Sequence, residues 1–531
     1  MGTLGDSLWS LEFAGAAQIP EWDSALARDV AEHFAAFAQA RIAPLDAPGD
    51  LQGCRLVDGR VHLPDGFAEV YRDLAAAGWQ GLSAPENHGG QGLGPAVQAL
   101  VSEVFSGACH ALQMITGLVP GAIRLLHHIA TPQQQARFIP KLASGEWLAT
   151  MCLTEADAGS DLSRIRTRAT DSAQGWRITG EKVFISGGDQ NASENILHLV
   201  LARTSADGTK GLSLFACPAH LPDGRRNAIT VARIERKMGL HASPTCQIIL
   251  DGAQAELIGA PGQGLAAMFL LMNHARLDVA LQGVAHAAKA HALARDHAHD
   301  RRQGRHADGE VAALADHPDV ARMLAEMDRQ TLAARALAHT ALVALETGNT
   351  ALAEFLTPMA KVAGSEAGMR VTETAMQVLG GYGYLHDYRL EQAYRDARIC
   401  AIYEGANGIQ ALTLATRGLS HASGAQAQAF AAHIGQIAQA GPGGAALAGP
   451  LGDWTRLCAR VRSDPAGLAH LLMAGSIGLA DLAFWHRVQA ECVGDTRLQG
   501  LVADAQIAAR HALHSCLHFA GLQQAPALEL C

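Results

Sequence analysis

The sequence predicts an α+β fold in which helices come first, a compact β domain follows and further helices complete the chain. Apolar residues recur at helical spacing as far as about residue 149, after which short apolar runs are separated by Gly, Asp and Pro. Long helical patterns return from residue 263, at lengths that suit an antiparallel bundle. We therefore expect four parts: an N-terminal helical domain at 1–149, a β domain at 150–262, a helical bundle at 263–420 and a helical extension at 421–531.

The composition predicts a soluble globular protein with a large core, because 49% of the 531 residues are hydrophobic and 17% are charged. A net charge of −10 disfavours nucleic acid or an anionic membrane as the main partner. The sequence has no unbroken apolar run of about 18 residues, no secretory signal at its start and no CxxC pair among ten cysteines. No HExxH motif is present either, so we expect a cytoplasmic protein with no membrane partner and no metal.

Helices and loops alternate in the N-terminal part. Leu26, Val30 and Phe37 lie on one helical face, and Pro44 is expected to end that helix. Helical patterns are predicted at 21–46, 67–78 and 95–146, with a polar insert at 46–66 and a Gly-rich loop at 79–94.

The middle and C-terminal parts differ in the length of their elements. Intervals of about 10–20 residues between short apolar runs are typical of a compact β domain. The predicted strands are 176–180, 196–201, 212–216, 229–234 and 245–250. The predicted bundle helices are 264–302, 316–347, 350–380 and 388–417.

Glu404 stands between an apolar run and a turn of small residues. A carboxylate flanked by Ile402 and Tyr403 should be poorly solvated, which would raise its pKa above the reference of about 4.3. Poor solvation also makes the ionised form a stronger base, suited to proton abstraction near neutral pH. The alternative is that Glu404 caps the following helix, where an acid favours the N-terminal dipole.

Two polar segments of the β domain offer groups to a planar ligand. The first supplies the hydroxyls of Thr154 and Ser160 beside backbone N–H groups. The second supplies the ring of Phe184 and the hydroxyl of Ser186. On these residues alone, the first segment is equally an ordinary polar turn, and Phe184 is equally a packing residue of a β-barrel.

Arg395-Asp396-Ala397, followed by Ile402-Tyr403-Glu404-Gly405 and Ile409-Gln410, resembles the signature of the acyl-CoA dehydrogenase family. The two polar segments and the order of the domains resemble the same family over roughly residues 25–420. The resemblance implies a middle β-barrel, a C-terminal four-helix bundle and an extension seen only in longer members. The N-terminal insert and the stretch at 234–239 look most like the branch that acts on 3-(methylthio)propionyl-CoA and similar short acyl-CoA thioesters.

The resemblance also implies roles for individual residues. Glu404 would be the base that removes the α-proton of an acyl thioester. The implied FAD-binding residues are Leu153, Thr154, Gly159, Ser160, Phe184, Ile185, Ser186, Arg301, Gln377, Leu379, Gly380, Gly381, Ala406 and Asn407. The implied substrate-binding residues are Ser160, Asn273, Arg276 and Gly405.

Several of these positions allow another interpretation or depart from the family pattern. From their chemistry alone, Arg276 could form a structural salt bridge and Arg301 could belong to a solvated basic loop. Gly380-Gly381 is also an ordinary helix stop. The family usually has Trp at the position of Phe184 and Thr at the positions of Ser186 and Ala406, so Asn407 is expected to supply the hydrogen bond that Ala406 cannot.

The implied reaction is FAD-dependent α,β-dehydrogenation of an acyl-CoA to a trans-2-enoyl-CoA, as in fatty acid metabolism. The α-proton would go to Glu404, the β-hydride to flavin N5 and the electrons to an electron-transfer flavoprotein. The arginine that matches Arg301 reaches the FAD of the neighbouring subunit in the family, which implies a homodimer, with a homotetramer as the alternative.

Two other functions are compatible with the same fold. One is an acyl-CoA oxidase that uses oxygen. The other is a non-catalytic DNA-associated flavoprotein, which would need a basic tail. Residues 421–531 carry six arginines, no lysine and at least as many acids, which disfavours this second function.

Overall fold

A computed structural model describes residues 2–173, 175–440 and 444–522 of the chain. Its helices, numbered in chain order, are α1 (Gly2–Phe13), α2 (Ser24–Phe37), α3 (Asp46–Gln52), α4 (Phe67–Ala76), α5 (Pro95–Thr116), α6 (Val119–Ile129), α7 (Pro132–Ala143), α8 (Gly264–Asp300), α9 (Pro318–Glu346), α10 (Thr350–Leu379), α11 (Leu390–Ala397), α12 (Asn407–Thr413), α13 (Ala425–Ala440), α14 (Ala445–Ser463), α15 (Pro465–Glu491) and α16 (Thr496–Phe519). Its strands are β1 (Arg55–Val57), β2 (Arg60–His62), β3 (Trp147–Cys152), β4 (Arg168–Thr170), β5 (Trp176–Ser186), β6 (Asn195–Arg203), β7 (Leu212–Pro218), β8 (Ile229–Ile234), β9 (Thr245–Ile258), β10 (Arg302–Arg305) and β11 (Val311–Ala313).

The described residues form two compact units. The barrel unit lies within Asp29–Asp278, and the bundle unit combines residues from Met1–Arg28 and Val279–Cys531. Most of the predicted N-terminal domain therefore shares a unit with the β domain, while α1 belongs to the bundle unit. The division into four domains stays a prediction.

The strands of the barrel unit close on themselves. The order β4–β5–β9–β7–β6 returns to β4 through one parallel pairing of Arg168 with Arg203. Strand β3 extends this sheet parallel to β6, and β8 pairs with β9. Strand β6 is buried almost throughout, which explains why its sequence is continuously apolar and does not alternate. The predicted β-barrel is confirmed, and β5 and β9 are longer than their predicted runs.

The polar insert predicted at 46–66 contains regular structure. It forms α3 and the β1–β2 hairpin, which one buried carboxylate fastens to the barrel. Asp189 Oδ2 accepts a hydrogen bond from Val61 N at 2.9 Å and from Arg60 Nε at 2.9 Å. Pro44 lies in a 3₁₀ turn that leads into α3, so the proline changes the helix type without ending the helical path.

The bundle unit is built on long helices that approach one another closely. Helix α10 packs lengthwise against α9. At the crossing with the end of α8 that lies in this unit, a Cβ added to Gly283 or Gly364 would clash with the facing backbone. The predicted helices at 316–347 and 350–380 are confirmed as α9 and α10. The stretch predicted as one helix at 388–417 is broken into α11, a 3₁₀ turn, an irregular loop and α12.

The predicted helical extension consists of α13–α16 within the described residues and packs on α9, α10 and α12. Arg497 of α16 forms ion pairs with Asp328 of α9 at 2.6 Å and with Asp6 of α1 at 2.8 Å. The ring of Phe13 also packs edge-on against Phe484 of α15, at 5.7 Å between centroids. The N-terminal helix and the extension are therefore linked, which the local sequence patterns did not reveal.

Among the described residues, two helices, α8 and α15, are long and apolar enough by length and composition to cross a membrane, and α5 with α6 would make a third if this bent pair were one span. Neither α8 nor α15 contains an unbroken apolar run of about 18 residues, because occasional polar residues interrupt both. About half of the most apolar window of each helix, 44% in α8 and 56% in α15, is buried inside the structure.

Candidate active site

In the bundle unit, Glu404 lies in the irregular loop between a 3₁₀ turn (Arg398–Ala401) and α12. Its φ angle is +53° and that of Gly405 is +90°, so two successive residues adopt the left-handed conformation. A non-glycine residue there costs about 1–3 kcal/mol and persists only where the surroundings impose it. Such strain at a carboxylate marks Glu404 as a functional candidate.

Three buried side chains impose this loop conformation. Lys361 Nζ, from α10, donates hydrogen bonds to Gly405 O at 2.8 Å and to Asn407 Oδ1 at 2.9 Å. Gln410 Nε2 donates to Glu404 O at 3.0 Å. Ser365 Oγ, one turn after Lys361, accepts from Asn407 Nδ2 at 3.1 Å. Lys361 and Ser365 are fully buried and Gln410 nearly so.

The capping role considered for Glu404 is not what the structure shows. The N-cap of α12 is Ala406, and no acidic residue lies in the first turn of that helix. Glu404 is half-buried and one of its carboxylate oxygens, Oε2, is buried, but its neighbour Ile402 is 51% exposed, so the expected apolar enclosure is incomplete in this chain. The side-chain amide of Asn407 lies against α10, so its contact with a cofactor stays a prediction.

A second group of predicted residues lies at the C-terminal end of α10. Gly380 has φ +60° and ψ −134°, a conformation suited to glycine. Among the described residues, no atom lies within 4 Å of a Cβ built on Gly380 or Gly381, so a ligand can approach their backbone. The Arg301 guanidinium lies 5.6 Å from the ring centroid of Tyr382, next to these glycines. Gln377 is exposed and Leu379 is buried. The structure thus brings Arg301 and the predicted Gln377–Gly381 segment together.

In the barrel unit, the predicted loop that carries Thr154, Gly159 and Ser160 leaves the end of β3 and is fastened by a buried ion pair. Lys182 Nζ donates to Leu153 O at 2.8 Å and to Glu155 Oε1 at 2.8 Å. The Lys182 side chain is fully buried and that of Glu155 is 10% exposed. Gly159 and Ser160 are exposed beyond this anchor, and Thr154 is half-buried.

The ionisation of Glu155 reflects these contacts. Burial by itself would raise its pKa, but the ammonium of Lys182 and the backbone N–H groups of Arg166 and Thr167 outweigh burial and lower the pKa below its ordinary value. The assignment of site residues missed both Glu155 and Lys182, although each lies in a motif that it used. An acid and a lysine inside two apolar motifs are a signal for a buried pair.

Phe184 is presented outward by a bulge in β5. The pairing of β5 with β9 shifts register between Lys182 and Ile185, and Phe184 has φ +60°. Its side chain is 63% exposed, so ordinary barrel packing is excluded. Ile185 packs in the barrel core and Ser186 is half-buried. Because Val183 N donates to Thr154 O at 2.9 Å, the bulge is adjacent to the Thr154 loop.

These features fit a flavin. The outward ring of Phe184 lies next to a loop that offers hydroxyl groups and exposed glycine backbone. This combination suits a flat polar ring system. The exposed glycines at the end of α10, together with the guanidinium of Arg301 near them, suit a diphosphate. Within the described residues, no group of three or more His, Cys, Asp or Glu is arranged to hold a metal ion.

Helix α8 carries the two predicted substrate residues. Arg276 Nη1 donates to Asn273 Oδ1 at 3.1 Å, one helical turn away. The guanidinium also lies 5.8 Å from the ring centroid of Phe269. Asn273 is exposed and Arg276 is half-buried, so both side chains remain accessible at this edge of the barrel unit.

Comparison with protein families gives three adjoining matches. Models of the N-terminal, middle and C-terminal domains of acyl-CoA dehydrogenases match residues 24–146, 150–253 and 262–419. One similar curated protein is the 3-methylmercaptopropionyl-CoA dehydrogenase of Ruegeria pomeroyi. It is 39% identical over 471 residues, which cover 84% of this chain and 79% of the relative.

Two solved structures show how far the fold is shared. An acyl-CoA dehydrogenase of Bacillus anthracis complexed with FAD aligns with a TM-score of 0.78 at 21% identity, covering 94% of this chain and 88% of its own. A chain from a structure of an electron-transferring flavoprotein of Acidaminococcus fermentans aligns with a TM-score of 0.66 at 26% identity, covering 74% and 98%. At 94% coverage the first alignment must include most of the C-terminal extension.

Proposed function

The chain belongs to the acyl-CoA dehydrogenase family and oxidises acyl-CoA thioesters with FAD, and on that premise we propose that Glu404 is its catalytic base. The observation that carries the proposal is the strained loop. Glu404 is held at φ +53° by hydrogen bonds from buried side chains to its own carbonyl and to that of the next residue. Such fixation lowers the cost of placing a carboxylate against one C–H bond of a substrate.

The proposed reaction removes two hydrogens from adjacent carbons. The Glu404 carboxylate takes the α-proton, and the backbone N–H of Glu404 acidifies that proton by donating to the thioester carbonyl oxygen. Bound FAD supplies the hydride acceptor for the β-carbon. The electron pairs of the two broken C–H bonds form the new double bond and the hydride, so the product is a trans-2-enoyl-CoA.

The proposed cofactor contacts fall into two groups. In the barrel unit, the Phe184 ring would pack on the flavin, and the Thr154 and Ser186 hydroxyls would bind its polar edge. In the bundle unit, Arg301 and the exposed Gly380-Gly381 backbone would bind a diphosphate. Leu153, Gly159, Ser160, Ile185, Gln377, Leu379, Ala406 and Asn407 complete the proposed FAD set.

The proposed substrate is a short acyl-CoA such as 3-(methylthio)propionyl-CoA, which the 39% identity to a dehydrogenase for that thioester supports. Ser160, Asn273, Arg276 and Gly405 are the proposed substrate contacts. The charge of Arg276 suits the anionic CoA portion, because a net charge of −10 makes a local cation necessary for attraction.

The proposed electron acceptor is an electron-transfer flavoprotein, and the proposed assembly is a cytoplasmic homodimer. Lys361 and Gln377 lie on one helix 16 positions apart, which corresponds to roughly 24 Å along its axis. Lys361 contacts the Glu404 loop, and Gln377 belongs to the segment that lies near Arg301. The separation of these two groups supports a dimer in which Glu404 serves the FAD of its own subunit and Arg301 the FAD of the neighbouring subunit.

Replacement of Glu404 tests the proposal. We expect Glu404→Gln to keep its FAD, because the isosteric amide preserves the loop, and to reduce the rate of flavin bleaching by acyl-CoA at least about 10³-fold. Anaerobic rapid mixing at 450 nm measures that rate. Glu391→Gln, which changes an acid at a helix start elsewhere in the bundle unit, is the control. Undiminished bleaching in Glu404→Gln would exclude Glu404 as the base.

A second experiment tests the substrate and the electron acceptor. We expect wild-type flavin to be bleached faster by 3-(methylthio)propionyl-CoA than by longer or branched acyl-CoA thioesters. Reoxidation should be fast with electron-transfer flavoprotein and slow with oxygen. Stoichiometric peroxide formation would instead assign an acyl-CoA oxidase.

A further inference from the structure

Lys361 is a buried lysine whose ammonium contacts the loop that carries Glu404. Its side chain is fully buried in α10, and its ammonium lies 2.8 Å from the carbonyl oxygen of Gly405, the residue that follows Glu404. A buried lysine is costly, because desolvation disfavours its charged form. Its placement against the loop that carries the proposed base therefore requires an explanation beyond packing.

The hydrogen bonds of Lys361 determine the path of the loop. The ammonium also donates to Asn407 Oδ1 at 2.9 Å, so it joins the residues on both sides of Ala406. Ser365 reinforces the same amide, because Asn407 Nδ2 donates to its hydroxyl at 3.1 Å. Without Lys361, two buried oxygens would lose a charged donor, and the left-handed pair at Glu404 and Gly405 would lose its main restraint.

The ammonium of Lys361 lies 2.8 Å from the backbone carbonyl of the residue next to Glu404, so its charge also bears on the proposal. A cation close to a carboxylate favours the ionised form of that carboxylate. A general base must be ionised before it can accept a proton. The position of the loop and the charge of Lys361 would therefore both serve removal of the α-proton by Glu404.

We propose that Lys361 is the positioning residue of the catalytic base, fixing the Glu404 loop through Gly405 and Asn407 and keeping the Glu404 carboxylate ionised at neutral pH. This inference rests on the proposed role of Glu404. It adds a residue from the middle of α10 that does not itself touch the reacting atoms.

The test compares two variants of α10. Lys361→Met removes both the charge and the donor, whereas Ser365→Ala removes a neutral hydrogen bond to the same Asn407 and leaves the charge. Flavin reduction by acyl-CoA is followed by anaerobic rapid mixing from pH 5 to pH 9. Hydrogen exchange of the peptide at 402–412 is measured in parallel on the oxidised FAD-bound protein without substrate.

For Lys361→Met we expect reduction to be about 100-fold slower at pH 7 and faster exchange in the Glu404 loop. The acidic limb of the rate profile should move up by about one pH unit, because loss of the cation disfavours the ionised base. Ser365→Ala should slow reduction only a few-fold and leave the limb unmoved. A Lys361→Met limb that coincides with wild type, or an equal shift in Ser365→Ala, would refute the role of the charge.

Two further comparisons keep the outcomes distinct. If Lys361→Met does not fold, Lys361→Gln carries the same test, because it loses the charge and keeps a donor. An unmoved limb in that variant refutes the proposal. If acyl-CoA still bleaches the flavin of the Glu404→Gln variant, Glu404 is not the catalytic base. If Glu404→Gln is inactive but both lysine variants keep the wild-type profile, only the positioning role fails.

Discussion

Two buried lysines fasten the two candidate loops, one in each unit, and they differ in what they bind. In the barrel unit, Lys182 donates to the carbonyl of Leu153, just before Thr154, and to the carboxylate of Glu155. In the bundle unit, Lys361 donates to the carbonyl just after Glu404 and to the amide of Asn407. Both ammonium groups are fully buried.

The difference separates two uses of a buried charge. The carboxylate of Glu155 largely neutralises the charge of Lys182, so this pair fixes a loop without adding a net charge to it. Lys361 instead donates to a carbonyl and to an amide oxygen on the loop that carries the proposed base. The first arrangement fixes a loop that is proposed to bind a cofactor, and the second fixes a loop that carries the proposed base.

The largest expected effect in this comparison comes from Lys182→Met. The change removes the cation that pairs with the Glu155 carboxylate. We therefore expect the melting temperature of the barrel unit to fall by about 10 °C and FAD to be lost. Differential scanning calorimetry and the ratio of flavin to protein absorbance measure the two effects. The double variant Lys182→Met with Glu155→Leu should recover part of the stability, since it leaves no unpaired charge. A double variant no better than the single would contradict the pairing.

Glu155→Gln should have a smaller effect that depends on pH. The folded pKa of Glu155 is lowered, so its ionised form contributes stability above its ordinary pKa of 4.5, and this contribution is lost as the pH falls through the lower folded value. We therefore expect Glu155→Gln to melt a few degrees below wild type at pH 7 and the difference to shrink below about pH 4.5. A difference that stays constant from pH 7 to pH 4 would show that the charge of Glu155 does not stabilise the fold.

The smallest expected effect is that of Phe184→Leu. The ring is 63% exposed, so its loss should leave the melting temperature of the apoprotein nearly unchanged. FAD binding should weaken about threefold to tenfold, because a stacked aromatic contact contributes about 0.5–1.5 kcal/mol. Titration of apoprotein with FAD measures the affinity. Phe215→Leu, in the buried barrel core, is the matched control and should lower the melting temperature instead.

Much of this protein could be predicted from local patterns. The helices at 316–347 and 350–380, the strand runs and the barrel followed from periodicity and from the family resemblance. The resemblance of the segment around Glu404 to the family signature indicated the candidate base, whose role stays a prediction. Apolar spacing continues across the loop and predicts one helix at 388–417, whereas the small residues after Glu404 indicate a turn. The left-handed backbone at Glu404 and Gly405 breaks the helix at that turn.

The amino-acid sequence by itself determined the order of helices and strands, the family and the identity of the candidate base, because these depend on local spacing and short motifs. Only the tertiary structure decided that Lys361 lies behind Glu404, that Phe184 turns outward on a bulge and that Arg497 links α1 to the extension. Each of these contacts joins segments far apart in the chain or reverses a local preference. Such contacts form only when packing compensates for desolvation and strain, which no short stretch of sequence records.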